Sequence, residues 1–370
     1  VTFATEQIVN RFKLDMLRRR KIKRPIIAAI ATLTCGAASA QSSVTLYGII
    51  DAGVTYTNRV DTPTQKGAVV QFTSGSSQGS RWGLRGSEDL GGGLKAIFAL
   101  ENGFDVGTGA LGQGGLEFGR QAFVGLSSNW GTLTLGRQYD FIGDIFPAFA
   151  VGSNSPAGLL AWSLPAYAAG SYSLDNRVWG DQVNNAVKYQ SPSIAGFTLG
   201  GMYGFGNVAG SLGTNSSSNF VVSYDNGPLS AALAYMSIHN ATPSANSREF
   251  AGGAAYMIGK ARLFGMVSDV QLSSGTKPRA TTYEAGLAYQ VVPALSLAGG
   301  AQYQHRNNGV GSANQLTLSG DYFLSKRTDV YLVAALAHDH GFSAQAQAAL
   351  GDVSGTDVQT AVRIGIRHKF

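Results

Sequence analysis

Ala361-Val362-Arg363-Ile364-Gly365-Ile366-Arg367-His368-Lys369-Phe370 ends the chain, and its two faces decide which folds can hold it. In an extended strand Val362, Ile364, Ile366, His368 and Phe370 share one side, and Arg363, Gly365, Arg367 and Lys369 share the other. A half-buried soluble strand also alternates. Here, however, one face carries three cations and a glycine into whatever lies inside. A dry core penalises such a face heavily, whereas a polar, water-filled lumen accepts it.

The same period of two runs back along the chain. Sixteen segments read as strands, from Val44–Thr57 and Ser80–Ser87 through Leu229–Ile238 to Asp329–Ala337 and Ala361–Phe370. The connections alternate in length. Seven are short, among them Asn226-Gly227-Pro228, a tight-hairpin signal. Eight are long, including Asn58–Gly79, Phe104–Glu117, Asp140–Asn184 and His338–Thr360. An even-stranded closed barrel with both termini on the periplasmic side has this rhythm of short periplasmic turns and long extracellular loops. Closure removes sheet edges, and in hydrocarbon it is obligatory because every backbone N–H and C=O must be paired. The expected fold is therefore an all-β, sixteen-stranded antiparallel transmembrane barrel. Tyr47, Tyr56, Phe98, Phe104, Tyr203, Tyr224, Tyr235, Tyr256, Tyr289, Tyr303 and Tyr331 stand near strand ends and are expected in the interfacial girdles.

Composition agrees. Glycine supplies 49 of 370 residues, and charged residues are 14%, against about 25% in ordinary soluble proteins. The longest apolar stretch, near the N-terminus, falls short of the roughly 20 residues a membrane helix needs. Cys35 is the single cysteine, which excludes an intrachain disulfide.

Residues 16–40 read as a signal peptide, with Arg18, Arg19, Arg20, Lys21, Lys23 and Arg24 before an apolar Ile26–Leu33 and an Ala38-Ser39-Ala40 cleavage site. Residues 1–15 read as an upstream extension outside the mature protein, and 41–370 as the barrel. Thr32 stands three positions ahead of Cys35 where a lipoprotein signal requires Leu, so lipidation is not expected. The first 40 residues hold eight of the 28 basic and two of the 22 acidic residues. The remainder balances, so the net charge of +6 belongs to the leader and nucleic acid is not an expected partner.

Several ordered segments resemble the Gram-negative general (non-specific) porins of the betaproteobacterial type. They are Ser43-Val44-Thr45-Leu46-Tyr47-Gly48-Ile49-Ile50-Asp51, the stretch from Ser80-Arg81-Trp82-Gly83 to Asp89-Leu90-Gly91, Leu135-Gly136-Arg137-Gln138, Asn184-Asn185-Ala186-Val187-Lys188-Tyr189, and the terminal Arg367-His368-Lys369-Phe370. The resemblance implies a homotrimer in the cell outer membrane, in contact with lipid and lipopolysaccharide, that passes ions and small hydrophilic solutes. It implies that Phe370 is part of the signal read by the barrel-assembly machinery. It also implies that the longest connection, Asp140–Asn184, folds into the lumen as a constriction loop. Composition alone leaves that loop equally readable as a solvated surface excursion.

Asp140, Asp144, Asp175 and Asp181 would then set the loop's charge. Opposite it the resemblance places wall arginines at Arg81 and Arg120. Alternation puts Arg81 on the face away from Trp82 and Leu84, but gives Arg120 the register of Ala122, Val124 and Leu126. Gln182 occupies the position where a third arginine is common, and Arg177 is a candidate substitute. Arg137 shares a face with Leu133 and Leu135, which favours a structural role. Arginines facing carboxylates across a narrow, low-dielectric gap produce a transverse field that passes dipolar solutes.

No cofactor, metal site or enzyme is expected. His338-Asp339-His340 has two imidazoles on one face without further ligands nearby. A lipid-hydrolysing barrel needs an oriented Ser–His pair, and there is no Gly-x-Ser-x-Gly elbow before a helix. A substrate-specific channel and a soluble adhesin or β-sandwich are the remaining alternatives.

Overall fold

The computed structural model describes residues 43–150, 167–169, 172–174, 182–241, 246–273, 275–347 and 350–370. The expected upstream extension and signal peptide, Arg177, Asp175 and Asp181 lie outside the described residues. Nineteen strands are present among the described residues. The first six are β1 (Ser43–Asp61), β2 (Lys66–Ser74), β3 (Arg81–Gly91), β4 (Leu94–Gly103), β5 (Gln121–Ser128) and β6 (Gly131–Tyr139). A short helix α1 (Phe141–Ile145), a 3₁₀ turn (Phe146–Phe149) and a small hairpin, β7 (Tyr167–Ala169) with β8 (Tyr172–Leu174), follow. The wall resumes with β9 (Gln182–Gln190), β10 (Phe197–Gly204), β11 (Ser217–Asn226), β12 (Leu229–Ile238), β13 (Ser247–Ile258) and β14 (Ala261–Leu272). It ends with β15 (Arg279–Val292), β16 (Leu295–Arg306), β17 (Gly311–Phe323), β18 (Thr328–His340) and β19 (Val358–Lys369).

All wall strands pair antiparallel with their neighbours, and β19 returns to β1 with Ile49 opposite Lys369 and Thr57 opposite Ala361. The sheet is therefore closed. It has seventeen strands but sixteen positions, because β2 and β3 pair with successive halves of one edge of β1. This corrects the first long connection. The stretch 58–79 is mostly a hairpin, with β1 running to Asp61 and β2 beginning at Lys66. What separates β2 from β3 is Gly75–Ser80, which turns inward as a collar on the inner wall. The Ser77 and Gln78 amides both donate to Asp51 Oδ2, at 2.8 and 2.7 Å.

The polarity of the wall is inverted relative to a soluble protein. Leu233 (69% exposed), Ile364 (64%), Val124, Leu199, Phe220, Leu318 and Leu332 face outward. Arg363 and Arg367 face inward and are almost fully covered, at 0% and 1% exposure. The faces of β19 are thus those its alternation predicts. Covering by protein as well as water modifies the expectation of a wholly solvated inner face. Arg363 pairs with Asp51, and Arg367 pairs with Asp329 and donates to Gln78 of the collar.

Tyr56, Tyr256, Tyr289 and Tyr303 are exposed on the outer face, as girdle residues must be. Tyr47 and Tyr331 are corrections. Each has the inward parity of its strand, and their hydroxyls donate to Glu101 and Asp51 respectively. The connection after β18 also departs from a simple surface loop. Ala344 and Ala346 pack with Ala335, Ala337 and Ala361, whose register on β18 and β19 faces inward. Gln71 on β2 holds Asp352 of this segment at 2.5 Å.

Candidate pore constriction

The chain leaves β6 at Tyr139 and turns into the barrel. Asp140 caps α1, its carboxylate accepting from the Gly143 amide at 2.6 Å. Phe141, Ile142, Phe146 and Phe149 form a buried apolar face against Met202, Val221, Ala234, Met236, Phe264 and Met266 of the inner wall. The wall is cut to receive it. A Cβ on Gly200 would strike the Phe141 ring, and a Cβ on Gly253 the Phe149 ring, both within 2.6 Å. Burying such phenylalanines contributes roughly 1.5–3 kcal/mol each. For residues 141–150 the longest connection therefore lies inside the barrel, and it includes a helix that its Gly- and Ala-rich composition concealed.

Lys188 on β9 fixes this segment in place. Its ammonium pairs with Asp144, donates to the Tyr139 carbonyl at 2.9 Å and lies 4.5 Å from the Phe141 ring centroid. Desolvation raises the Asp144 carboxyl above its ordinary range, and the Lys188 charge opposes that shift. Asp144 is thus a partnered acid on the loop. Asp140 is fully buried and is engaged in capping.

Arg81 and Arg120 meet on the wall formed by β1, β3, β4 and β6, within electrostatic reach of each other and of Glu101. Arg120 precedes β5, so the register of that strand does not bind it. Its guanidinium turns inward, with Nε 2.7 Å from Glu101 Oε1 and Cζ 5.6 Å from the Tyr139 ring centroid. Tyr47 donates to the other Glu101 oxygen at 2.9 Å, and Arg85 stacks 5.1 Å from the Tyr47 centroid. Among the described residues Arg81 has no direct ion-pair partner. Gln182, opposite Tyr139 at the start of β9, stands beside this cluster. Arg137 is structural, donating to the Gly119 carbonyl at 2.7 Å and to Asn184 at 2.6 Å.

The sequence reading missed Glu101 and Lys188. Both share inward parity with small residues (Ala99 and Gly103, and Ala186), which was the available signal.

A sixteen-stranded wall is too wide for its side chains to fill. An apolar exterior, a polar interior and a loop segment held against one wall define a membrane diffusion channel. The model of the Gram-negative porin family matches residues 27–341, and the chain belongs to that family. An outer membrane porin protein of Bordetella pertussis is 33% identical over 413 residues, covering 94% of this chain and 100% of that protein. Outer membrane porin protein 32 of Delftia acidovorans is 35% identical over 376 residues, with the same coverage of 94% and 100%. Among solved structures, an anion-selective porin from Comamonas acidovorans superposes with a TM-score of 0.76 at 29% identity, covering 89% of this chain and 100% of its own. The protein is an outer-membrane porin, and its water-filled channel passes ions and small hydrophilic solutes by passive diffusion.

Proposed function

We propose that this porin is a general, non-specific channel with a weak preference for anions. The observation that carries this is the pairing at the constriction. Glu101 compensates Arg120, and Asp144 compensates Lys188, whereas Arg81, Arg85 and Arg137 have no ion-pair partner among the described residues. Selectivity follows the balance of fixed charge at the narrowest point. A small excess of unpaired cations attracts anions but does not exclude cations. That the related Comamonas protein is described as anion-selective supports the sign. Gln182, in place of a third arginine, keeps the preference weak. Arg177 is a further candidate for the same field.

Reversal potential in a planar bilayer under a salt gradient tests this. A small potential of anion-selective sign is expected, with ohmic steps that no single sugar blocks. A cation-selective sign, or saturable block by one solute, refutes it.

Three further elements belong to this reading. The barrels assemble as homotrimers, seen as conductance steps in groups of three. Residues 16–40 direct export and are removed, so that sequencing of the mature protein begins at Gln41. Phe370 is read by the assembly machinery. Its backbone extends the β1 ladder through two bonds of 3.1 Å to Gly48, and its ring occupies the space a Gly48 side chain would fill.

A further inference from the structure

The long-loop ends of β9, β10, β11 and β12 enclose a pocket of about 310 Å³. It lies on the lumen side of the wall. Met236 in its lining belongs to the buried cluster that seats α1, and Val183 and Ile238, which also line it, pack against the same cluster. Apart from Phe205 and two glycines, the rest of the lining is polar: Gln182, Asn184, Asn185, Asn215, Ser216 and Ser217. The glycines let the strands close round it. A Cβ on Gly204 would strike Val183 Cγ1 and Ser217 Oγ within 2.6 Å, and one on Gly206 would strike the Thr214 carbonyl. Asn185 and Asn215 hold φ of 51° and 54°, the left-handed conformation that asparagine tolerates better than most residues.

We propose that this pocket is an entry subsite for a small uncharged polyhydroxylated solute of the size of one sugar ring. Among the described residues no acid, lysine, arginine or histidine lines it. Its polar side chains are amides and hydroxyls, which both donate and accept. An anion asks for donors alone and a cation for acceptors alone, whereas a sugar hydroxyl uses both. The volume, at the lower end of the roughly 300–1,000 Å³ of small-molecule sites, suits one ring rather than an oligomer. Val183, Met236 and Ile238 offer an apolar side to the C–H face of such a ring. The proposal rests on the channel reading above, since solutes reach the pocket through the lumen.

The partners of the lining groups favour the same occupant. The Asn184 oxygen accepts from Arg137 at 2.6 Å, which leaves its amide N–H groups to donate. Ser216 donates to the Gly213 carbonyl at 2.9 Å and keeps lone pairs to accept with. The side chains of Asn185, Asn215 and Ser217 have no hydrogen-bond partner among the described residues. Gln182 belongs both to this pocket and to the neighbourhood of Tyr139 at the constriction. A neutral solute is thus held at the threshold of the arginine cluster by groups that give an anion no charge to pair with. The pocket is built into four adjacent wall strands rather than across the lumen, so its occupancy leaves the ion path open.

Saturation-transfer NMR on the full-length protein, solubilised in a sugar-free detergent, tests this with glucose and glucuronate, which share a ring and differ in charge. Glucose is expected to receive saturation in a concentration-dependent, saturable way, and glucuronate to bind more weakly. The double variant N185G/N215G removes two side chains while glycine keeps the left-handed backbone. It should weaken glucose about tenfold, the scale of one or two net hydrogen bonds, with unitary conductance unchanged. Gln182→Arg, which puts a guanidinium into the lining, should reverse the order of the two sugars, and it carries the same test if the double variant does not fold. No transfer to glucose, undiminished affinity in the double variant, or glucuronate bound as well as glucose by the wild type would each overturn the proposal. Planar-bilayer current recorded with glucose separates the two readings. Absent transfer with ohmic, unblocked steps would refute the pocket alone. Block of the current by glucose would place the sugar across the lumen and refute both the pocket and the non-specific channel.

Discussion

Asp51 on the first strand and Arg363 on the last meet inside the wall, with Oδ1 and Nη2 3.2 Å apart and neither side chain exposed. Tyr331 stands between them, donating to Asp51 at 2.5 Å and accepting from Arg363 Nε at 2.7 Å. Thr55 and Thr73 accept from the remaining guanidinium nitrogen, and the Ser77 and Gln78 amides complete the carboxylate. One pair therefore joins the barrel seam, the break between β2 and β3, and the inward collar.

A buried pair of this kind loses most when one partner is removed and the other stays buried. Arg363→Met should cost about 3–5 kcal/mol and lower the temperature at which the folded band disappears in a heat-modifiability gel. Asp51→Asn should act similarly, and the double variant should lose less than the sum of the two. Strict additivity would show that the two side chains do not act as a unit.

Glu101→Gln releases Arg120 from its carboxylate and should shift the reversal potential towards anions. Arg81→Ala should shift it towards cations, with open-channel current retained. Identical potentials in wild type and both variants would remove this cluster from the selectivity filter.

Phe149→Ala opens a cavity between the loop and β13, at a cost of about 3–5 kcal/mol when the ring is fully packed. Since this ring holds the loop segment against the wall, the expected sign is noisier and larger single-channel current. Lys188→Met should act in the same direction by leaving Asp144 without its partner. Quiet, wild-type conductance in both variants would mean that the segment is held elsewhere.

Ile364 faces lipid near the middle of β19. Ile364→Arg should destabilise the barrel by about 2–4 kcal/mol, as for a charge near the bilayer midplane. Ile364→Leu should be nearly silent. Both are measured by urea-dependent refolding into vesicles.

Deleting Phe370 removes the two backbone bonds to Gly48 as well as the ring. Outer-membrane levels should fall. Phe370→Tyr should restore them if the aromatic end is what the assembly machinery reads, and Phe370→Ala should not. Full levels of the alanine variant would refute that role.

Most of the wall could be read from alternation, because a lipid-facing side chain must be apolar whatever its neighbours are. The strand β2 escaped notice although Val70 and Phe72 face outward and Gln71 and Thr73 do not. It is half a wall strand, and the collar that splits it resembles a loop in composition. Tyr331 was misassigned for a related reason. Aromatic identity suggested a girdle, while its parity with Asp329 and Val333 pointed inside. Arg81 was legible by parity. The inward turn of Arg120 was not, since it depends on a residue just outside the ladder reaching Glu101 on another strand. Partnerships of that kind are tertiary, and a single sequence carries only their parity.

The seam also bears on how the molecule comes into being. The backbone bonds of Phe370 reach Gly48, more than three hundred residues earlier in the sequence. The contacts that shut the sheet thus join its first strand to its last and bear the greatest loop-closure entropy among the described strand pairings. A chain released early has no strand to offer β1 and keeps an open edge, a form that aggregates or is degraded. Because β19 is the strand that closes against β1, closure tests whether that strand is present.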